Sequence, residues 1–118
     1  MTNSKYYDLE ERTLRFAKEV RMFIGLLPRS IANIEDGKQV IRSSGSIGAN
    51  YIEANESLGK KDFTLRVRIS RKEAKETRYW LELIDINENI ELENKRKVLI
   101  GEATEILKIL SSIINKSK

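Results

Sequence analysis

The chain has 118 residues, 34% of them charged and 40% hydrophobic, with a formal net charge of +4, one Pro and six Gly. That suits a single domain spanning residues 1–118 with its own core and excludes two ordinary domains. With no Cys there is neither a disulfide nor a thiolate metal site, with no His imidazole acid–base chemistry is gone, and no run of roughly 20 apolar residues can cross a bilayer.

The start, MTNSKYYDLEER, lacks a signal-peptide core. The expectation is a soluble cytoplasmic protein. The first predicted helix runs from about Asp8 to Leu27. Leu9, Thr13, Phe16, Val20, Phe23 and Leu27 recur at alternating spacings of 4 and 3, which is one helix face. Asp8 is the candidate N-cap and Pro28 the stop, because its ring disfavours helix at the residue before it. PRSIANIEDG then reads as a turn or a loose first turn.

A second helix is predicted from Ile34–Lys38 to Ser57–Gly59, with the seam Val40, Ser44, Ile47, Tyr51, Ala54 and Leu58. Its middle, RSSGSIGAN, is poor helix sequence, since Gly45 and Gly48 each cost on the order of 1 kcal/mol relative to Ala. Small residues that admit another backbone would offset that cost. A continuous or kinked helix is the preferred reading and a loop between two short helices the alternative.

The third helix begins at Lys60 or Lys61 and reaches Ile84, with Phe63, Val67, Ser70, Ala74, Thr77, Leu81 and Ile84 as its seam. Asn87, Asn89 and Asn94 mark the next break. A fourth helix follows from Leu92 or Lys95 to Asn115, its seam Leu99, Ala103, Ile106, Leu110 and Ile113 widened by Ile100, Leu107 and Ile114. Four such stripes joined by short breaks predict an all-α, antiparallel up-and-down four-helix bundle.

The third helix carries the charge. From Lys60 to Arg78 it holds eight basic residues, Lys60, Lys61, Arg66, Arg68, Arg71, Lys72, Lys75 and Arg78, against Asp62, Glu73 and Glu76. The local balance of +5 exceeds that of the whole chain. Arg68, Arg71, Lys75 and Arg78 form a stripe about 15 Å long that could follow several phosphates. Pairs such as Lys72 with Glu76 could instead leave it an ordinary solvated face.

An apolar set also remains on this helix once its core seam is assigned: Leu65, Ile69, Tyr79, Trp80 and Leu83. Either the helix has a wide face inside the subunit, or these residues and the small-residue face around Gly45 and Gly48 mediate self-association; Trp as a frequent interface anchor favours the second. Catalysis is not expected. The serines of RSSGSIG lack a base, no phosphate-binding or dinucleotide loop is present, and Glu53 with Glu56 is too small a carboxylate set to predict a metal. No cofactor is predicted.

The DLE of residues 8–10, the Ile-x-Ala-Asn of residues 47–50, the EANESLGKKDF of residues 53–63 and the RISRKEAKETRYWLELI of residues 68–84 together resemble the bacterial four-helix-bundle proteins encoded in intervening sequences of large-subunit ribosomal RNA genes. The resemblance covers almost the whole chain. It implies a homo-oligomer, a ring of five, without catalytic activity and with RNA or DNA as its suspected partner. A relative within this fold group, the accessory protein of diversity-generating retroelements, is a basic pentamer that binds a reverse transcriptase and its RNA, so an adaptor role is the alternative. Where the family commonly has Ile-Pro-Ala-Asn, this chain has Gly48 for the proline.

Overall fold

The computed structural model describes residues 5–117, with side chains from Leu9 onward. Four helices account for most of it: α1 Lys5–Gly25, α2 Ile31–Asn55, α3 Lys60–Leu83 and α4 Ile90–Lys116. Each packs on its two neighbours in a closed cycle, with the α2–α3 seam the most extensive and α1–α4 the least. Cross-contacts run antiparallel throughout, as in Thr13 with Gly48 and Arg71 and Arg78 with Ser111 and Thr104. The described chain is an all-α, up-and-down bundle without strands.

The predicted seams are the core. Leu9, Thr13, Phe16, Val20 and Phe23 of α1 and Val40, Ser44, Ile47, Tyr51 and Ala54 of α2 are buried. So are Val67, Ser70, Ala74, Thr77 and Leu81 of α3 and Leu99, Ala103, Ile106, Leu110 and Ile113 of α4. Leu27 and Phe63 are partly buried against that core, and Leu58 lies outside it: α2 ends at Asn55, and Leu58 lies beyond it, fully exposed.

Boundaries moved where caps rather than apolar residues decide them. The α2 helix begins at Ile31, not between Ile34 and Lys38, because the Ser30 hydroxyl accepts from the Asn33 N–H at 3.1 Å. Its seam continues backwards through Gly37 and Asn33, both buried, at the same spacing. A hydrophobic pattern does not register those residue types. Likewise α4 begins at Ile90, because the Asn89 side chain accepts from the Leu92 N–H at 3.0 Å. At the start of α1 the helix extends three residues before Asp8, so Asp8 does not precede the helix; its side chain lies outside the described residues.

Through RSSGSIGAN, α2 is one continuous helix. A Cβ on Gly48 would stand 2.7 Å from the Thr13 hydroxyl, so α1 lies where only Gly leaves room; at Gly45 the space is open. On the other side Ser70 donates to the Ile47 carbonyl at 2.7 Å, and the Ser43 and Thr77 hydroxyls share a 2.8 Å hydrogen bond. Ser43 and Gly48 are thus taken up by close packing against the two neighbouring helices, while Gly45 is not.

Asn33 ties the two connections at one end of the bundle together. Its amide donates to the carbonyls of Pro28 at 3.0 Å and Asp85 at 2.8 Å, while its oxygen accepts from the Asp85 N–H at 2.9 Å. In the same connection Asn87 and Glu88 adopt φ of 54° and 62°. From α4, Arg96 donates to the Ile84 carbonyl at 2.6 Å and closes the C-terminal end of α3, whose own last turn has no basic residue.

Candidate nucleic-acid interface

At about 100° per residue, α3 divides into four longitudinal strips. The buried seam faces the core. One flank carries Arg71 and Arg78, with Lys75, Arg68 and Lys60 beside them, and borders α4. The opposite flank carries Arg66 and Glu73 and borders α2. The outer strip holds Leu65, Ile69, Tyr79 and Leu83, with Lys61, Lys72 and Glu76 among them.

Contacts fix these flanks. Arg71 Nη1 donates to the Ser111 hydroxyl at 3.4 Å and Arg78 Nη1 to the Thr104 hydroxyl at 3.2 Å, both on α4. Thr104 in turn donates to its own helix at the Ile100 carbonyl, 2.8 Å away, so its oxygen is turned to accept from the arginine. Arg66 instead reaches α2, at 3.4 Å from the Asn50 side-chain oxygen. The eight predicted cations therefore do not form a single surface.

The carboxylates are distributed just as unevenly. Glu73, nearly buried, and Glu76 accept from Arg42 of α2 at 3.4 and 3.5 Å, and Glu76 also pairs with Lys72 at 3.8 Å. Among the described residues no carboxylate lies within ion-pair distance of Lys60, Lys61, Arg66, Arg68, Arg71, Lys75 or Arg78. In the sequence Glu73 and Glu76 stand as candidates to neutralise the basic stripe. Arg42, 31 residues before Glu73, draws both toward α2 and leaves the α4 flank positive.

Of the apolar set, Leu65, Tyr79 and Leu83 are about half exposed or more, Ile69 is partly buried, and Trp80 is partly buried against the core. The Trp80 ring meets Tyr79 edge-on, with centroids 5.3 Å apart. Gly48 is taken up inside the subunit by Thr13, whereas a Cβ at Gly45 would meet nothing within 4 Å. An apolar hollow of about 410 Å³ lies between α1 and α4, lined by Met22, Phe23, Leu26, Val98 and Leu99. Above its level the two helices are joined by a forked ion pair, Arg12 to Glu102 at 2.6 and 2.9 Å. The Glu102 hydrogen bond raises the Arg12 pKa above its ordinary value, against the opposing effect of burial.

Residues that could hold a metal are scarce: Glu53 and Glu56 are exposed, and no group of three carboxylates converges among the described residues. None of the helices is long and apolar enough to cross a membrane. What the fold presents is a four-helix up-and-down bundle with one flank of cations that have no carboxylate partner among the described residues. The sequence profile of the 23S rRNA-intervening sequence proteins matches residues 6–112, and the chain belongs to that family.

Among solved structures it is similar to a protein of unknown function from the S23 ribosomal protein family of Bacteroides thetaiotaomicron. The two are 34% identical, with a TM-score of 0.78 over 95% of this chain and 99% of the other. No curated protein matches the sequence.

Proposed function

We propose that this family member is a non-enzymatic homo-oligomeric scaffold, a ring of five on the family resemblance, that binds RNA or DNA through its phosphates. The observation that carries the reading is the unpaired state of the α3 cations. Among the described residues seven of the eight have no carboxylate partner, although Glu73 and Glu76 sit on the same helix. Phosphate contacts position a polyanion without reading its sequence, and no groove-reading helix or stacking sheet accompanies them here, so little base specificity is expected.

Self-association follows from the outer strip of α3. Leu65, Tyr79 and Leu83 are exposed together on one helix, and covering them with a second subunit would leave the flank that borders α4 open to a polyanion. The same strip suits a protein partner, and an adaptor that docks on a reverse transcriptase and its RNA remains the second reading. Copurification of the chain with such an enzyme through Leu65 and Leu83, rather than with a second copy, would select it.

The test of the main reading is the affinity for a short single-stranded RNA measured from low to high salt. Counterion release predicts a log–log slope of about −0.7 for each neutralised phosphate. Binding that is indifferent to salt would contradict it.

A further inference from the structure

We infer that the phosphate site of each subunit is the seam between α3 and α4, and that Thr104 and Ser111 of α4 are positioning residues for Arg71 and Arg78. The inference rests on the polyanion-binding reading above and assigns it to one of the two flanks of α3. Basic residues on a helix usually sweep a wide volume, and holding them still costs side-chain entropy when a ligand arrives. Arg71 and Arg78 are already laid down. Each is half-buried, each donates one N–H to a hydroxyl on α4, and each keeps the rest of its guanidinium fork.

The two sites repeat. Arg71 and Arg78 are seven residues apart on α3, Ser111 and Thr104 are seven apart on α4, and the antiparallel register brings each pair together. Two equivalent forks are thereby set about 10 Å apart along the seam, at ~1.5 Å per residue. Lys75 and Arg68 stand exposed beside them. A chain of phosphates running along the seam would meet fixed forks on its floor and mobile cations on its wall. Arg–phosphate contacts are frequently bidentate, and a fork held in plane by a neutral hydroxyl loses none of its charge to the holder.

The opposite flank lacks this arrangement. There the α2 helix supplies Arg42, whose charge is engaged by Glu73 and Glu76, and the outer Lys72 shares Glu76. A phosphate at that flank would compete with two carboxylates. Among the described residues of that flank only Arg66 is without one, and it lies toward one end of the helix, against Asn50.

The experiment uses the full chain and a fluorescently labelled single-stranded RNA of about 20 nucleotides, with anisotropy read across salt. Arg71→Ala with Arg78→Ala should weaken binding strongly and reduce the salt slope by about 1.4, or about 0.7 per lost cation. Thr104→Val with Ser111→Ala removes no charge. It should leave the slope unchanged while weakening binding several-fold, on the order of threefold to tenfold, as the loss of an ordinary hydrogen bond does. Thr104→Ser with Ser111→Thr keeps both hydroxyls and should restore affinity. Circular dichroism and thermal melts check that each variant is folded.

Three results would overturn the inference. One is full affinity in the Thr104→Val, Ser111→Ala chain. Another is an equal loss of slope on substituting Arg66 and Lys72, which would put the phosphates elsewhere on α3 while keeping the general reading. The third is no binding of RNA by the unaltered chain at low salt, which removes the polyanion reading and this assignment with it.

Discussion

Glycine in the middle of a helix is a cost unless something uses the missing side chain, and this chain holds both cases. At Gly48 the Thr13 hydroxyl occupies the space a Cβ would need, whereas at Gly101 nothing lies within 4 Å. Gly48→Ala should therefore destabilise the fold by about 1–2 kcal/mol, the overpacking cost exceeding the gain in helix propensity. Gly101→Ala should stabilise it by about 0.5–1 kcal/mol. Urea unfolding of the two variants gives opposite signs on this account. Asn33 is the other single residue with a large effect. All three of its side-chain hydrogen bonds hold backbone in the two connections at one end of the bundle, and it is buried. Asn33→Leu should cost about 2–4 kcal/mol by leaving the Asp85 and Pro28 groups unpaired, seen as a lowered urea midpoint.

Between helices, the balance of charge on α3 depends on a residue of α2. Glu73 has a side chain only 10% exposed, and Arg42 is its ion-pair partner. Arg42→Ala should destabilise the bundle by about 1–2 kcal/mol, a figure reduced because Arg42 itself is half exposed. It should also lower RNA affinity, because Glu73 and Glu76 then act on the α3 cations instead. Chemical denaturation and anisotropy titration read the two effects separately. Arg42 also marks the limit of what the sequence could convey. Hydrophobic spacing places nearly every core residue, because a bundle buries one stripe per helix and Leu, Ile, Val and Phe label it. It misses the first two turns of α2, where the stripe continues as Gly37 and Asn33, and it overruns the end, where Leu58 keeps the spacing after the helix has stopped. For the candidate interface the eight cations were visible, but their division between two flanks was not. That division depends on Arg42, Thr104 and Ser111, which lie 26 or more residues from the side chains they touch and are not marked by hydrophobic spacing.

The subunit as a whole is a slab of about 46 × 28 × 19 Å, with a radius of gyration of 15.0 Å. A more nearly spherical chain of this length would have roughly 13.5 Å. A two-layer slab only two helices thick leaves broad helix faces uncovered, and the α3 strip with Leu65, Tyr79 and Leu83 is one of them. Under the proposed assembly, Leu65→Glu with Leu83→Glu should break the oligomer into folded subunits, since both positions are exposed in the isolated bundle and neither contributes to its core. The measurement that bears most directly on the whole account is the mass of the unaltered protein by light scattering, alone and with a short RNA, at about 50 mM and about 500 mM salt. The account predicts a mass of five times 13.7 kDa that rises with RNA at low salt and returns to the protein value at high salt. A 13.7 kDa particle whose mass RNA does not change at either salt would contradict it.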